Sequence, residues 1–146
     1  MPVAADLQLG LSMRFKVDIE GNDLKYWAKA TGLEVAWDVC EYRAGDNRND
    51  RWYFPGITKY PTIKLERAAN KDDSKAVKEW LEETSFKHSP QTGSIQLQDA
   101  KLVEVHTWNL RHVIPVKWSI NAFEAGSSKV AVETLELAHM GFLENE

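Results

Sequence analysis

Cysteine is nearly absent from this 146-residue sequence: Cys40 is the only one. A single thiol excludes an intramolecular disulfide framework, argues against a structural zinc site and suits a reducing compartment. Cys40 reads as a small, half-buried strand residue rather than a reactive thiol. A basic excess is missing too, with 18 Lys and Arg against 22 Asp and Glu and a formal charge of -4. Nucleic-acid-binding modules usually carry a clustered basic surplus, so no specific nucleic-acid site is expected. No run approaches the ~20 apolar residues of a membrane-spanning helix, so no stable membrane anchor is expected either. The opening MPVAADLQLGLS has no basic residue before Arg14 and no long apolar stretch, which does not fit a secretory signal.

Signatures of chemistry are equally scarce. His88, His106, His112 and His139 are scattered and fit no zinc spacing. Asp46–Asp50 has the look of a calcium loop, but Arg48 occupies a ligand position, Arg51 stands where Gly is needed and Ile57 replaces the terminal Glu. There is no nucleophile elbow, phosphate-binding loop or dinucleotide fingerprint. Glu79, Glu82 and Glu83 cluster on a helical stretch and read as a solvated face. The expectation is therefore a protein without catalytic residues, metal or cofactor. Six tryptophans, Trp27, Trp37, Trp52, Trp80, Trp108 and Trp118, are spread along the chain. That spread favours core and interface anchors over a carbohydrate-binding face.

What the sequence does have is alternation. Apolar residues make up 43% and charged residues 27%, which suits a folded globular chain. At this length roughly two-thirds of the unfolded surface can be buried, and residues 1–146 read as one domain. Met13, Phe15, Val17 and Ile19 alternate with Arg14, Lys16, Asp18 and Glu20, and Gly21-Asn22-Asp23 follows as a turn. Leu24–Ala30 fits either a short strand or a helical turn. Leu33–Cys40, Thr62–Arg67, Gly93–Gln98, Leu102–Leu110, Val113–Ile120 and Lys129–Ala138 read as further strands. Asp99-Ala100-Lys101 can join two of them as a hairpin. Ile114, Val116, Trp118 and Ile120 are expected to share a face, with Pro115 at an edge or bulge. Arg43–Arg51 is polar and reads as a loop. The one helix is Asp73–Phe86, capped by Asp72, Asp73 or Ser74, with Ala76, Val77, Trp80 and Leu81 as its apolar stripe. Seven or eight short strands and one helix predict a mainly β, mostly antiparallel sandwich or barrel. Bare strand edges in such a domain are either blunted or used to pair with neighbours.

Several blocks, taken in order, resemble a known family. They are Phe15–Gly21, Thr31–Glu34, Glu41-Tyr42-Arg43 running on to Gly45, Pro55–Pro61, Ile63–Arg67, the helix carrying Trp80, then Trp118, and finally Val132–His139. Together, from about Met13 to Leu143, they resemble the tail-tube proteins of contractile phages and related contractile injection systems. One departure is the polar Asp46–Arg51 loop, where a shorter, Gly-rich connection is expected. The resemblance implies a β-barrel-like, non-enzymatic subunit. Hexameric rings would stack into an inner tube, inside a sheath and on a baseplate, with cargo able to occupy the lumen. It further implies assembly in the cytoplasm, then incorporation into a phage tail or tail-like particle.

Within that frame Glu41–Pro61 carries charges, aromatics and two stiffening prolines suited to subunit and ring contacts. Glu41, Arg43, Arg51, Trp52, Tyr53, Lys59 and Tyr60 are its interface residues. Arg14, Lys16, Asp18, Gln96 and Gln98 are the residues expected to face the lumen, against the reading of an ordinary solvated face. The alternatives are a tube initiator or terminator of the same fold, and a stand-alone β-sandwich that binds sugar or peptide.

Overall fold

The computed structural model describes residues 13–43, 51–84, 91–121 and 131–144. Strands β1 (Arg14–Ile19), β2 (Asn22–Trp27), β3 (Lys29–Thr31), β4 (Ala36–Arg43), β5 (Arg51–Lys59) and β6 (Ile63–Ala68) precede helix α1 (Lys71–Thr84). Strands β7 (Gln91–Gln98), β8 (Glu104–Asn121) and β9 (Val132–Ala138) complete the chain order. The ambiguous Leu24–Ala30 is thus strand rather than helix.

Seven strands form one sheet in the order β2-β1-β7-β8-β9-β6-β3, and every recorded pairing is antiparallel. Its two ends belong to one stretch of chain. Only Ala28 separates β2 from β3, and its N–H donates to the Glu66 carbonyl at 3.0 Å. The sheet therefore closes on itself as a small barrel, which removes most free edges. Just after β3, Gly32 has φ +88°, and a Cβ there would sit 2.1 Å from the Thr62 carbonyl oxygen. Only glycine lets the two backbones approach so closely.

Strand β8 makes the closure by serving two partners. Its first half pairs with β7 across the expected Asp99–Lys101 turn, where the Asp99 carboxylate accepts from Lys101 N at 2.8 Å and Val103 N at 3.0 Å. Its second half pairs with β9, and the register shifts between Pro115 and Lys117. That bulge corrects one expectation. It absorbs Val116, so Ile114 faces Ala138 while Trp118 faces Leu135, and the two no longer share a face.

The alternating apolar residues meet inside. Val17 and Ile19, Leu24 and Trp27, Ile63 and Leu65, Ile95, Leu110 and Val113, and Leu135 and Leu137 are all buried. Helix α1 packs against β2 and adds Val77 and Trp80 to this core. The Trp80 indole N–H donates to Gln91 Oε1 at 2.9 Å, so the ring is buried without a stranded donor. The helix starts earlier than expected. Asn70 is its cap, accepting from Asp72 N at 3.0 Å through its side chain and from Ser74 N at 2.8 Å through its carbonyl. Its far end at Phe86 lies outside the described residues.

Strands β4 and β5 form a separate two-stranded ribbon. Here one expected boundary needs correction, and a strand is added. The strand expected from Leu33 begins only at Ala36, and Arg51–Lys59 is one strand running through Pro55. A proline is tolerated because a two-stranded ribbon has outer edges that need no N–H donor. Residues 44–50, which include the polar tip and the calcium-like run, lie outside the described residues.

Candidate assembly surfaces

Two surfaces stand out, and each follows from strand register. The first is the outer face of β2-β1-β7-β8. Cross-strand neighbours point to the same side of a sheet. Arg14 lies opposite Gln98, Lys16 opposite Gln96 and Asp18 opposite Ser94. All five polar residues expected to line a lumen therefore share one face. The register adds Thr107 and Asn109 from β8, and Tyr26 and Asp23 from β2. The Arg14 guanidinium sits 5.4 Å from the Tyr26 ring centroid. Gln98 is more covered than its neighbours, at 6% exposure, and donates to Gln96 Oε1. The face is half-exposed, mixed in charge and rich in amides and hydroxyls, while Val17, Ile19 and Ile95 behind it are core. Thr107 and Asn109 were not singled out from sequence, although the alternation of Leu102–Leu110 contains them.

This strip ends on an unusual edge. Among the described residues, Glu104–Asn109 pairs with β7 and no other strand. Leu102, Val103 and Val105 at its start are large, apolar and exposed.

The second surface is the β4–β5 arm. Val39 is 66% exposed, Tyr53 62%, Phe54 51%, Trp37 49% and Ile57 72%. Glu41 is exposed opposite Tyr53, and Lys59 forms a 2.8 Å ion pair with Asp38. Arg43, Arg51 and Trp52 sit in the paired outer end of the arm, with side chains outside the described part. Tyr60 behaves differently from the other expected interface residues. It is half-buried at the arm's root, its ring 5.3 Å from His139 and 5.2 Å from Phe142.

Residues 11–143 match the family described as T4-like virus tail tube protein gp19. The chain belongs to this family. Its fold is that of tail-tube proteins in solved assemblies. A chain in an extracellular contractile injection system, the PVC sheath-tube complex in its extended state, gives a TM-score of 0.70 at 21% identity, covering 87% of this chain and 84% of that one. The six-fold-symmetrised baseplate of the anti-feeding prophage holds a chain at 0.66 and 21%, covering 88% and 89%. The cap that terminates the anti-feeding prophage tube gives 0.66 and 24%, covering 85% and 82%. No curated protein sequence matches. Family membership makes this a structural tube protein.

The tail-tube barrel is tied together by a polar knot that sequence reading missed. On β9, Glu133 lies on the core side with Leu135 and Leu137, directly across from Arg67 on β6. Glu133 is fully buried and accepts from Arg67 Nε at 2.7 Å, Ser74 Oγ at 3.0 Å and Trp118 Nε1 at 2.8 Å. Arg67 also donates to the carbonyls of Leu24 at 2.8 Å, Tyr26 at 3.3 Å and Asp73 at 2.9 Å, and lies 3.8 Å from the Trp27 ring centroid. A buried ion pair is tolerable only when its remaining donors and acceptors are satisfied, and here they are shared among β2, β6, β8, β9 and α1. The sequence signal was the acidic interruption of an apolar strand face.

At the arm's root the chain passes under a strap, residues 139–143. Arg111 N donates to the Gly141 carbonyl and Met140 N to the Arg111 carbonyl, while the guanidinium reaches the Leu143 and Met140 carbonyls. Gly141 has φ +132°, and a Cβ there would lie 2.7 Å from the Tyr60 ring. The His139 Nδ1 accepts from Gly141 N at 3.1 Å. Burial, aided by the nearby Arg111 cation, holds His139 below its ordinary pKa of 6.5. Among the described residues no three His, Cys, Asp or Glu side chains are grouped to hold a metal, and no helix is long and apolar enough to cross a membrane.

Proposed function

We propose that this tail-tube protein forms hexameric rings that stack around a lumen, with the β2-β1-β7-β8 face turned inward. The observation that carries the reading is the two-sided character of that strip. Its inner side is barrel core, its outer side is polar and mixed in charge, and it ends in the half-strand Glu104–Asn109. Edge-to-edge pairing of six copies would extend four strands into one continuous inner barrel and leave no edge unpaired. Arg14, Lys16, Asp18 and Gln96 would then meet the contents of the lumen, with Gln98 mostly covered beside them. The arm, with Glu41, Tyr53 and Lys59, would supply contacts to neighbouring copies.

The role is that of a passive conduit without catalysis, assembled in the cytoplasm and surrounded by sheath and baseplate proteins. Negative-stain electron microscopy of the purified protein, with light scattering alongside, tests it. Hollow tubes are expected; a monomer that persists at high concentration, even with baseplate proteins added, would overturn it. The likeness to a tube-terminating cap supports a second reading, in which the chain ends a tube instead of extending it. Rings that refuse to stack would favour that role.

A further inference from the structure

We infer that Arg111 is a positioning residue that holds the strap, residues 139–143, off the free edge of β8, so that the edge stays open to another copy. The use of the open edge by another copy rests on the tube reading above, whereas the hold on the strap does not.

The strap continues β9 along the same side of β8. Ile114 faces Ala138, and three residues on in each direction Arg111 faces Gly141, so the antiparallel register is kept. Here the Arg111 N–H donates to the Gly141 carbonyl at 3.0 Å, and the Arg111 carbonyl accepts from Met140 N at 2.8 Å. Backbone donors alternate sides along a strand, so the Asn109 N–H points the same way as the Arg111 N–H. The next ladder pair would therefore be Asn109 with Leu143. Forming it would begin to close the bare Glu104–Asn109 edge with the chain's own backbone. Phe142 is already placed for this. It packs against the core, as does Leu110, the residue it would face.

The ladder nonetheless stops. The Leu143 carbonyl, which the Asn109 N–H would need, accepts from Arg111 Nη1, and Arg111 Nη2 reaches the Met140 carbonyl at 3.4 Å. Charge-assisted hydrogen bonds are roughly twice as strong as neutral ones, so the guanidinium outcompetes the Asn109 amide for that oxygen. Gly141 completes the diversion. Its φ of +132° turns the chain, and a Cβ there would come within 2.6 Å of Arg111 Nη2. Past this point Leu143 lines a cleft of about 310 Å³ with Trp37, Thr58 and Tyr60 at the root of the arm. An unpaired strand edge is a template for any strand in reach, and the strap is the segment nearest to it. Holding one carbonyl away keeps the chain from capping the edge itself.

The test is Arg111→Met, which keeps an apolar stem and removes every donor. Hydrogen exchange of the Asn109 amide is read by NMR at a concentration too low for assembly. That amide should exchange rapidly in the unsubstituted chain and about tenfold more slowly in Arg111→Met, where the strap closes on the edge. Tubes, counted over time in negative-stain micrographs, should form more slowly from the variant. Ending the Arg111→Met chain at Phe142 removes Leu143 and should restore both fast exchange and tube formation, which a general loss of stability would not do. An Asn109 amide protected in the unsubstituted chain, unchanged in Arg111→Met or still slow after the shortening overturns the inference and leaves the tube reading standing. Slowed exchange with tubes forming at the normal rate overturns the link to assembly. An unsubstituted chain that forms neither rings nor tubes overturns the tube reading, while the Asn109 comparison still decides whether Arg111 holds the strap.

Discussion

In the barrel, Leu65 faces Leu135 across β6 and β9, and both side chains are fully buried. In the arm, Val39 faces Pro55 across β4 and β5, yet Val39 is largely exposed. Both are antiparallel pairs of apolar residues on a pleated ribbon. What differs is the second layer. Five further strands and a helix surround the barrel pair, whereas among the described residues Val39 in the arm stays largely uncovered. Fully burying a side chain of this size contributes about 1.5–3 kcal/mol, so the barrel already draws on that term and the arm can draw on it only in company. On the proposed tube reading, stability and assembly fall to separate regions, and substitutions can test the separation.

The largest effect is expected at the polar knot. Glu133→Ala leaves the Arg67 charge buried without its carboxylate, and removing one partner of such a pair costs about 3–5 kcal/mol. Chemical denaturation of the unassembled chain should show a loss of that size. A loss under about 1 kcal/mol would mean that water or another acceptor replaces the carboxylate. Trp80→Ala should cost a comparable 3–5 kcal/mol by opening a cavity between α1 and the sheet. In both cases fewer tubes should form only because less chain is folded. A variant of either kind that stays folded but fails to assemble would blur the division between barrel and arm.

A smaller effect is expected at the join of the two regions. His139 has a lowered folded-state pKa, so the folded chain binds fewer protons there than the unfolded chain near pH 6.5. Its contribution is fully present above about 6.5 and is lost as the pH falls from there through the folded value. Denaturant midpoints should therefore drop between pH 7.5 and 5.5, and His139→Gln should flatten the difference. An unchanged slope in that variant would assign the acid sensitivity elsewhere.

How much of this could be read beforehand differs between the two regions for a physical reason. Period-two alternation identified the barrel strands because their inward residues meet a single core, and it grouped Arg14, Lys16 and Asp18 with Gln96 and Gln98 on one face. The closure through Ala28 was hidden, and Pro115 pointed to an edge or bulge without showing that Val116 is the residue absorbed, since each depends on a partner strand far away in sequence. Glu133 looked like a flaw in an apolar pattern, because its partner Arg67 lies 66 residues away. The arm was harder still. Pro55 broke the strand signal, and apolar residues on both faces have no periodicity that says which side is covered.

The smallest stability change belongs to the arm and is the sharpest probe of the comparison. Tyr53 stands well clear of the core, so Tyr53→Ala should alter the unassembled chain by no more than about 0.5 kcal/mol. Assembly should respond far more. If Tyr53 packs against a neighbour, truncation removes a large aromatic contact from every copy, and the loss recurs at each added ring. Tube length, the quantity that accumulates along a polymer, should shorten even when each contact is weakened only slightly. Length distributions from electron micrographs at matched folded concentration measure this. Tubes of normal length would remove Tyr53 from the interface, whereas a destabilised monomer would place its ring against the barrel in solution and erase the contrast between the two regions.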